Sequence, residues 1–451
     1  MTKRWNLWSV LALAVLGLGA CDDEEDPMMP PMVEETTFQV TVENVSAAYD
    51  FAASGVFNTP AGAAAPGPLT PGGIYEFSFS APPGASLSFV TMMVQSNDFF
   101  YAPDGDGIAL WNEDGSQVTG DVTGQVLLWD SGTEINEEPG LGENQVIRQS
   151  GPDSGPVDPD TDVRLAPDVY DNLPAVEEVL RVTLSSDGPT RWTARIENVG
   201  TAETLTTSDG AMHPVPLSPG VFVVHSGADP IFTAGEPDRG QGLEGIAEDG
   251  TPGDLASELG GRTGVTGILS PGAWAVHQEA SVLFAAGQPD YGVGLEAIAE
   301  DGDPSGLVAS LGSDAGVSSA GAFNTPEGAS GPGPLTPGGS YSFELMAVPG
   351  DRLSLATMYV QSNDLFFAPG EPGIDLFPGG TAVNGDITGM ILLWDAGTEV
   401  NERPGVGLFQ APRQPGPDTG TTENGDVRQV DDGYSYGAVD ARIRVTITPV
   451  G

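Results

Sequence analysis

Only one cysteine, Cys21, and 3 histidines stand among 451 residues, and 15 basic residues face 64 acidic ones. A lone thiol has no intramolecular partner, so no disulfide framework holds this chain together. The net charge of −49 makes nucleic acid and anionic lipid surfaces poor partners, because both are bound by basic patches and repelled by a field of this sign. Recognisable catalytic signatures are missing as well: there is no Gly-x-Ser-x-Gly elbow, no His-x-x-x-His pair and no glycine loop of the phosphate-binding kind. What the chain has in abundance is glycine, 63 residues, and proline, 39, which interrupt it too often for long helices. The surplus carboxylates suit divalent cations, and they equally suit plain solubility or a salty habitat.

The N-terminus has the layout of an export signal. Lys3 and Arg4 precede an apolar run from Leu7 to Ala20, too short for a permanent membrane span. The run ends Leu18-Gly19-Ala20-Cys21, similar to the lipobox of a bacterial lipoprotein precursor. Residues 1–21 are therefore expected to be a lipoprotein signal, with Cys21 the lipidated residue that attaches the protein to a membrane. An ordinary signal peptide cleaved after Ala20 is the alternative. Residues 22–36, beginning Asp22-Asp23-Glu24-Glu25-Asp26 and continuing rich in Pro and Met, read as an acidic disordered tether. The expected location is the bacterial cell envelope, at the outer membrane or cell surface.

Self-similarity organises the remainder. Gly55-Val56-Phe57-Asn58-Thr59-Pro60 returns as Gly321-Ala322-Phe323-Asn324-Thr325-Pro326, and Val94-Gln95-Ser96-Asn97-Asp98 as Val360-Gln361-Ser362-Asn363-Asp364. Leu127-Leu128-Trp129-Asp130-Ser131-Gly132-Thr133-Glu134 returns as Leu392-Leu393-Trp394-Asp395-Ala396-Gly397-Thr398-Glu399. The copies also begin alike, at Phe38 to Val45 and at Trp192 to Val199. These matches set a compact first domain at 37–185 and a second at 189–451. The second is longer by an insert, about 217–320, that is itself duplicated: Val224-His225 through Ile246-Ala247-Glu248-Asp249-Gly250 is echoed by Val276-His277 through Ile298-Ala299-Glu300-Asp301-Gly302.

Tyr75, Phe77 and Phe79 alternate with polar or small residues, as do Tyr341, Phe343 and Leu345, which is the period of a half-buried strand. Leu87 to Val94 follows a Pro-Pro-Gly turn and is expected to form a hairpin with the strand before it. The terminal strands near Val40 and Val182 are expected to meet across one sandwich. The spacing predicts short helices around Gly242 to Ala247 and Asp254 to Leu259, with echoes at Leu295 and Leu307. The fold class that results is all-β, two antiparallel β-sandwich domains with short helices confined to the insert.

Ser96-Asn97-Asp98-Phe99-Phe100 and Trp129-Asp130-Ser131-Gly132-Thr133-Glu134, together with the His225-Ser226 segment that leads to Ala247-Glu248-Asp249-Gly250, resemble the spondin domain of F-spondin, mindin and many bacterial secreted proteins. The resemblance implies an extracellular antiparallel sandwich related to C2 domains, a bound Ca²⁺ and a role in adhesion or recognition. Carried over residue by residue, it makes Asp98, Asp130 and Glu134 the metal ligands of one copy and Asp364, Asp395 and Glu399 those of the other. Asn97 and Asn363 stand where animal members have proline, Glu134 and Glu399 replace an aspartate, and the family's cysteines are absent. Independently of the resemblance, each Asp-x-Gly-Thr-Glu segment follows an apolar strand and sets two carboxylates at its end. That arrangement suits a hard cation that takes oxygen ligands from loops, or an Asp that simply accepts turn amides.

Asp104-Gly105-Asp106-Gly107 lacks the closing glutamate of an EF-hand and reads as an acidic turn. Asp153, Asp158, Asp160 and Asp162 lie in a Pro/Gly-rich loop and read as solvated. His225 and His277 repeat in register within apolar runs, which suits structural hydrogen bonding better than catalysis. The functional expectation is an envelope-anchored, Ca²⁺-binding adhesion or recognition protein, not an enzyme, with an extracellular glycan, matrix or protein ligand. The alternatives are a structural matrix protein in which Ca²⁺ only stiffens the fold and, remotely, a hydrolase.

Overall fold

A computed structural model describes residues 35–166, 170 and 172–450; the expected signal segment, Cys21 and nearly all of the tether lie outside the described residues. The longer elements, in chain order, are strands β1 (Thr36–Asn44), β2 (Phe51–Phe57), β3 (Ile74–Ser80), β4 (Ser86–Met93), β5 (Phe99–Pro103), β6 (Val126–Asp130), β7 (Leu180–Gly188), β8 (Arg191–Asn198) and β9 (Leu217–His225). Helices α1 (Leu243–Asp249) and α2 (Gly253–Gly261) follow, then β10 (Leu269–His277), α3 (Leu295–Asp301), α4 (Ser305–Leu311), β11 (Val317–Phe323), β12 (Ser340–Ala347), β13 (Arg352–Tyr359), β14 (Leu365–Pro369), β15 (Ile391–Asp395) and β16 (Ile443–Val450). The fold is all-β with antiparallel sheets, as expected, and four short helices stand where the spacing predicted them, but a further one-turn helix, Val176–Val179, lies outside the insert.

The sheets, however, do not follow the boundaries at 37–185 and 189–451. One large sheet runs β2-β9-β4-β5-β6 and faces a smaller sheet ordered β3-β8-β7. The second pair runs β11-β10-β13-β14-β15 and β12-β1-β16. Strand β8, which opens the second copy, therefore belongs to the first sandwich, while β1, which opens the first copy, lies between β12 and β16 of the second. By its sheets the chain forms domain A from about 51–261 and domain B from 36–44 joined with 265–450. Domain A interrupts domain B after a single strand and has the same elements in circularly permuted order. The first half of the duplicated insert supplies β9, α1 and α2 to domain A, and the second half supplies β10, α3 and α4 to domain B. It is no accessory: it fills the place that the first copy lacks.

The reason is local. Gly188 and Arg191 are Cα partners across a two-residue turn, Pro189-Thr190, so β7 and β8 close as a hairpin. The nearest partner in sequence takes the place in the sheet, and β1, with the same alternating pattern, is left for domain B. Matching side chains mark the equivalence. Asn198 Nδ2 donates to the carbonyls of Leu69 (3.0 Å) and Val215 (2.8 Å), and Asn44 Nδ2 to those of Leu335 (2.7 Å) and Gly267 (2.9 Å). The expected pairing of the Val40 and Val182 strands is thus replaced by Val40 with Ile447 and Phe343, and Val182 with Ile196. The expected β3–β4 hairpin also fails: β3 pairs with β8 and β4 with β9 and β5, in opposite sheets.

Each domain has two cores. Between the sheets of domain A, Trp192, Phe89, Tyr75 and Leu217 are fully buried, and Trp192 Nε1 is satisfied by the Val118 carbonyl at 3.1 Å. On the outer face of the large sheet, Val90, Phe100, Val221 and Val223 pack against Leu243, Ile246, Leu255 and Leu259 of the helices. Residues at i, i+3 and i+4 give α1 one apolar face, and Gly250 in the left-handed region ends it. The central strand β4 is consequently buried on both faces. Among the described residues, no helix is long and apolar enough to cross a membrane.

Candidate metal centre

Antiparallel pairing of β5 with β6 sets Phe99 opposite Asp130, so Asp98, one residue earlier, comes beside the Asp130 carboxylate at the sheet's end. Both are buried. Burial, followed by the Asp130 charge, holds the Asp98 carboxyl well above the usual range. The chain then turns at Gly132, whose φ of 70° is left-handed and whose missing Cβ would lie 2.8 Å from the Asp162 carbonyl oxygen. That turn carries Glu134 inward, where its Oε1 accepts from the Gly155 amide at 2.6 Å. A Cβ on Gly155 would lie 2.2 Å from the Glu134 carboxyl carbon, so the carboxylate abuts bare backbone. Asp98 and Asp130 lie side by side, and Asp98 Oδ2 accepts from the Glu134 amide at 3.3 Å, but the Glu134 carboxylate turns away to Gly155. In domain B Asp364 and Asp395 lie side by side and the Glu399 carboxylate turns to Gly420 at 2.6 Å, so neither expected triad gathers at one point.

The three carboxylates are not equally available. Asp130 Oδ1 accepts from the Gly132 amide (2.8 Å), and its Oδ2 from Asn136 Nδ2 (2.6 Å) and the Arg164 guanidinium (2.7 Å). Asp395 repeats this with Gly397, Asn401 and Arg428 at 2.7, 2.8 and 2.8 Å. Both aspartates are thus already satisfied by turn amides and a fixed positive charge. The free acceptors lie elsewhere: Asp98 Oδ1, Glu134 Oε2 and Asp364 Oδ1 are buried without a hydrogen-bond partner.

A residue that the sequence reading passed over joins them. Glu248, on the face of α1 that packs against the sheet, is 1 % exposed, and neither of its carboxylate oxygens has a partner. Glu300 on α3 repeats it at 1 % exposure with Oε1 unpartnered. Burial, then the charges of Glu134 and Glu244, pushes the Glu248 carboxyl up to about 8. Burial, then the charges of Glu399, Glu296 and Asp364, pushes Glu300 to about 8 as well. Asp364 is raised to about 7, first by burial and then by the Asp395 charge. One oxygen each of Glu134, Asp153 and Glu248 lie within 4.8 Å of one another, and so do those of Glu296, Glu300 and Asp418, and of Asp364, Asp395 and Glu423. Asp153 and Asp418 are exposed, in keeping with the solvated reading of Asp153, yet each lies at the rim of its cluster with a left-handed φ of 48° and 52°.

Ligand oxygens at 2.3–2.6 Å from Ca²⁺ can stand about 5 Å apart across the ion, so these spacings fit a hard divalent cation. So do the orphaned oxygens, since an ionised carboxylate buried without a partner is costly. A second cue was available in the sequence: an acid repeated at one position of two apolar helix faces, in Ile-Ala-Glu-Asp-Gly.

The other sequence candidates are structural. Asp104 caps its own turn, accepting from the Asp106 amide at 3.2 Å. His225 Nε2 meets Ser88 Oγ at 2.9 Å and His277 Nε2 meets Ser354 Oγ at 2.8 Å, while each Nδ1 faces a backbone carbonyl. Burial lowers both imidazoles below their ordinary range. No protein-family model matches the chain, and no curated protein matches it.

Proposed function

We propose that this chain is a Ca²⁺-supported binding protein of the bacterial envelope, lipid-anchored at Cys21, whose two sandwiches are spondin-like recognition domains rather than enzymes. The observation that carries the reading is the pair Glu248 and Glu300. Glu248, with both oxygens unpartnered, meets Glu134 and Asp153, and Glu300, with Oε1 unpartnered, meets Asp418 and, from its own helix, Glu296. Duplication supports it too, because tethered modules raise effective concentration at a multivalent target. In this reading Glu134, Asp153 and Glu248 hold the cation in domain A, and Glu296, Glu300 and Asp418 in domain B, with Asp98, Asp364 and Glu399 the buried acids behind them. Asp130 and Asp395, locked to Arg164 and Arg428, fix the loops that present them.

Calorimetric titration of the full chain with Ca²⁺, wild type against Glu248→Gln/Glu300→Gln, tests the assignment. Loss of about tenfold or more in affinity at both sites is expected, on the scale of a lost charged ligand. Equal binding by the double variant sinks it. A protein whose Ca²⁺ only stiffens the fold would instead lose thermal stability in chelator while adhering to no glycan, matrix or cell surface.

A further inference from the structure

A cavity of about 770 Å³ lies between the two domains. Its walls are β2 and β3 of domain A, the connectors around Tyr49 and Gly264, and two loops of domain B, Arg403–Val406 and Gly433–Ser435. The size is that of a small-ligand site.

Charge sets this cleft apart. In a protein with 64 acids and 15 bases, Asp50 is the one acid on its walls, and Asp50 is neutralised by Arg262 at 2.9 Å. Two arginines line the same space, Arg191 at the start of β8 and Arg403. Among the described residues, every other arginine donates to a carboxylate, a carbonyl or an amide oxygen. Among the described residues, the guanidinium groups of Arg191 and Arg403 alone have neither an ion pair nor a hydrogen bond. A guanidinium carries five donors in a rigid fork suited to planar anions, so two guanidinium groups without a carboxylate partner leave donors on this cleft open to an anion. The remaining lining mixes serine and threonine hydroxyls, the Gln361 amide and tyrosine rings with apolar side chains such as Phe51, Phe79, Phe222 and Val265, and Arg403 sits over the exposed Tyr434 ring at 5.9 Å.

We infer that this interdomain cleft binds an anionic polysaccharide, a chain of sugar rings bearing carboxylate or sulfate groups. Arg191 and Arg403 take the charged groups, the hydroxyls and amide take ring hydroxyls, and Tyr434 offers a flat apolar face to a sugar ring. The inference stands apart from the metal assignment, although Arg403 lies in the loop that Asn363 ties down through Glu402 at 3.0 Å, four residues beyond Glu399.

The test is titration of the full chain in Ca²⁺ with hexagalacturonate, a sulfated galactan hexamer, neutral maltohexaose and hexaglutamate. Wild type is compared with Arg191→Ala/Arg403→Ala and with Tyr434→Ala, whose exposed side chains should leave the melting curves unchanged. Binding of either anionic sugar, at least about tenfold tighter than maltohexaose and weakened about tenfold or more by the arginine pair, is expected, and which hexamer binds identifies the charged group. Three results overturn the inference: neither anionic sugar binds, the arginine pair changes nothing, or hexaglutamate binds as tightly as the sugars. Binding that persists in chelator upholds the cleft while counting against Ca²⁺ support of recognition.

Discussion

Domains A and B reach the same three-layer sandwich by different routes through the chain. In domain B the strand-and-helix block β10-α3-α4 precedes the sheet it completes, and in domain A the equivalent block β9-α1-α2 comes last. Yet Glu248 and Glu300 arrive at the same place beside the same turn, and Asp153 and Asp418 take up the same strained backbone. Chain order is therefore not what builds the centre; the pairing of β5 with β6 and the burial of one helix face are. The differences fall around the shared carboxylates. Arg164 spans Asp130, Asp158 and Asp160, whereas Arg428 spans Asp395 and Glu423. Asn97 donates to the Ile135 carbonyl, whereas Asn363 donates to Glu399 and Glu402.

The comparison breaks most visibly on deletion. Removing residues 217–261 takes β9 from between β2 and β4 and uncovers Val90 and Phe100. Domain A is then expected to lose its cooperative unfolding transition altogether, while domain B keeps its own, since lengthening the disordered connection between β1 and β10 costs little. Scanning calorimetry checks this. Survival of both transitions would mean that the segment is a removable insert after all.

Next in size is a single side chain. Trp192, fully buried, stacks near Phe79 with ring centroids 6.2 Å apart, so Trp192→Ala should cost domain A about 3–5 kcal/mol. Phe38→Ala should weaken domain B, although Phe38 precedes all of domain A in the chain, because it packs edge-on against Phe377 at 5.6 Å. Assigning the two melting transitions in each variant decides the matter; the reverse assignment would refute the exchange of β1 and β8.

The strands, the helices and the repeat were legible because each has a local period: Tyr75-Phe77-Phe79 alternates, and Leu255 and Leu259 lie one turn apart. Strand partners were not. Phe38-Val40-Val42 and Trp192-Ala194-Ile196 present the same alternation, and nothing within either says which sheet receives it; the two-residue turn at Pro189-Thr190 decides. The centre was half legible for a similar reason. Asp98, Asp130 and Glu134 sit in conspicuous loop motifs, but Glu248 lies 150 residues beyond Asp98 on a helix whose face could be assigned only after the helix was packed. Asp130, the most conspicuous acid of all, turned out to be paired with Arg164.

The finest comparison is between each centre with and without its cation. Glu248 and Glu300 have carboxyls raised from an ordinary 4.5 to about 8. In the metal-free protein the folded state then holds more protons than the unfolded one across that interval, and stability falls as pH rises. The contribution is fully present below about pH 4.5 and is lost as pH climbs through about 8. Melting in chelator should thus drop between pH 5 and 8.5, by roughly 2–4 °C for each kcal/mol in domains of this size. A bound divalent cation favours the ionised carboxylates and should flatten the curve or reverse it. Glu248→Gln removes one titrating charge, so domain A should keep only the shallower pH slope that Asp98 supplies in chelator and should lose its response to Ca²⁺, while domain B keeps both. If the slope shrinks and the Ca²⁺ response remains, the cation sits with other oxygens and Glu248 is a buried acid with no metal to serve.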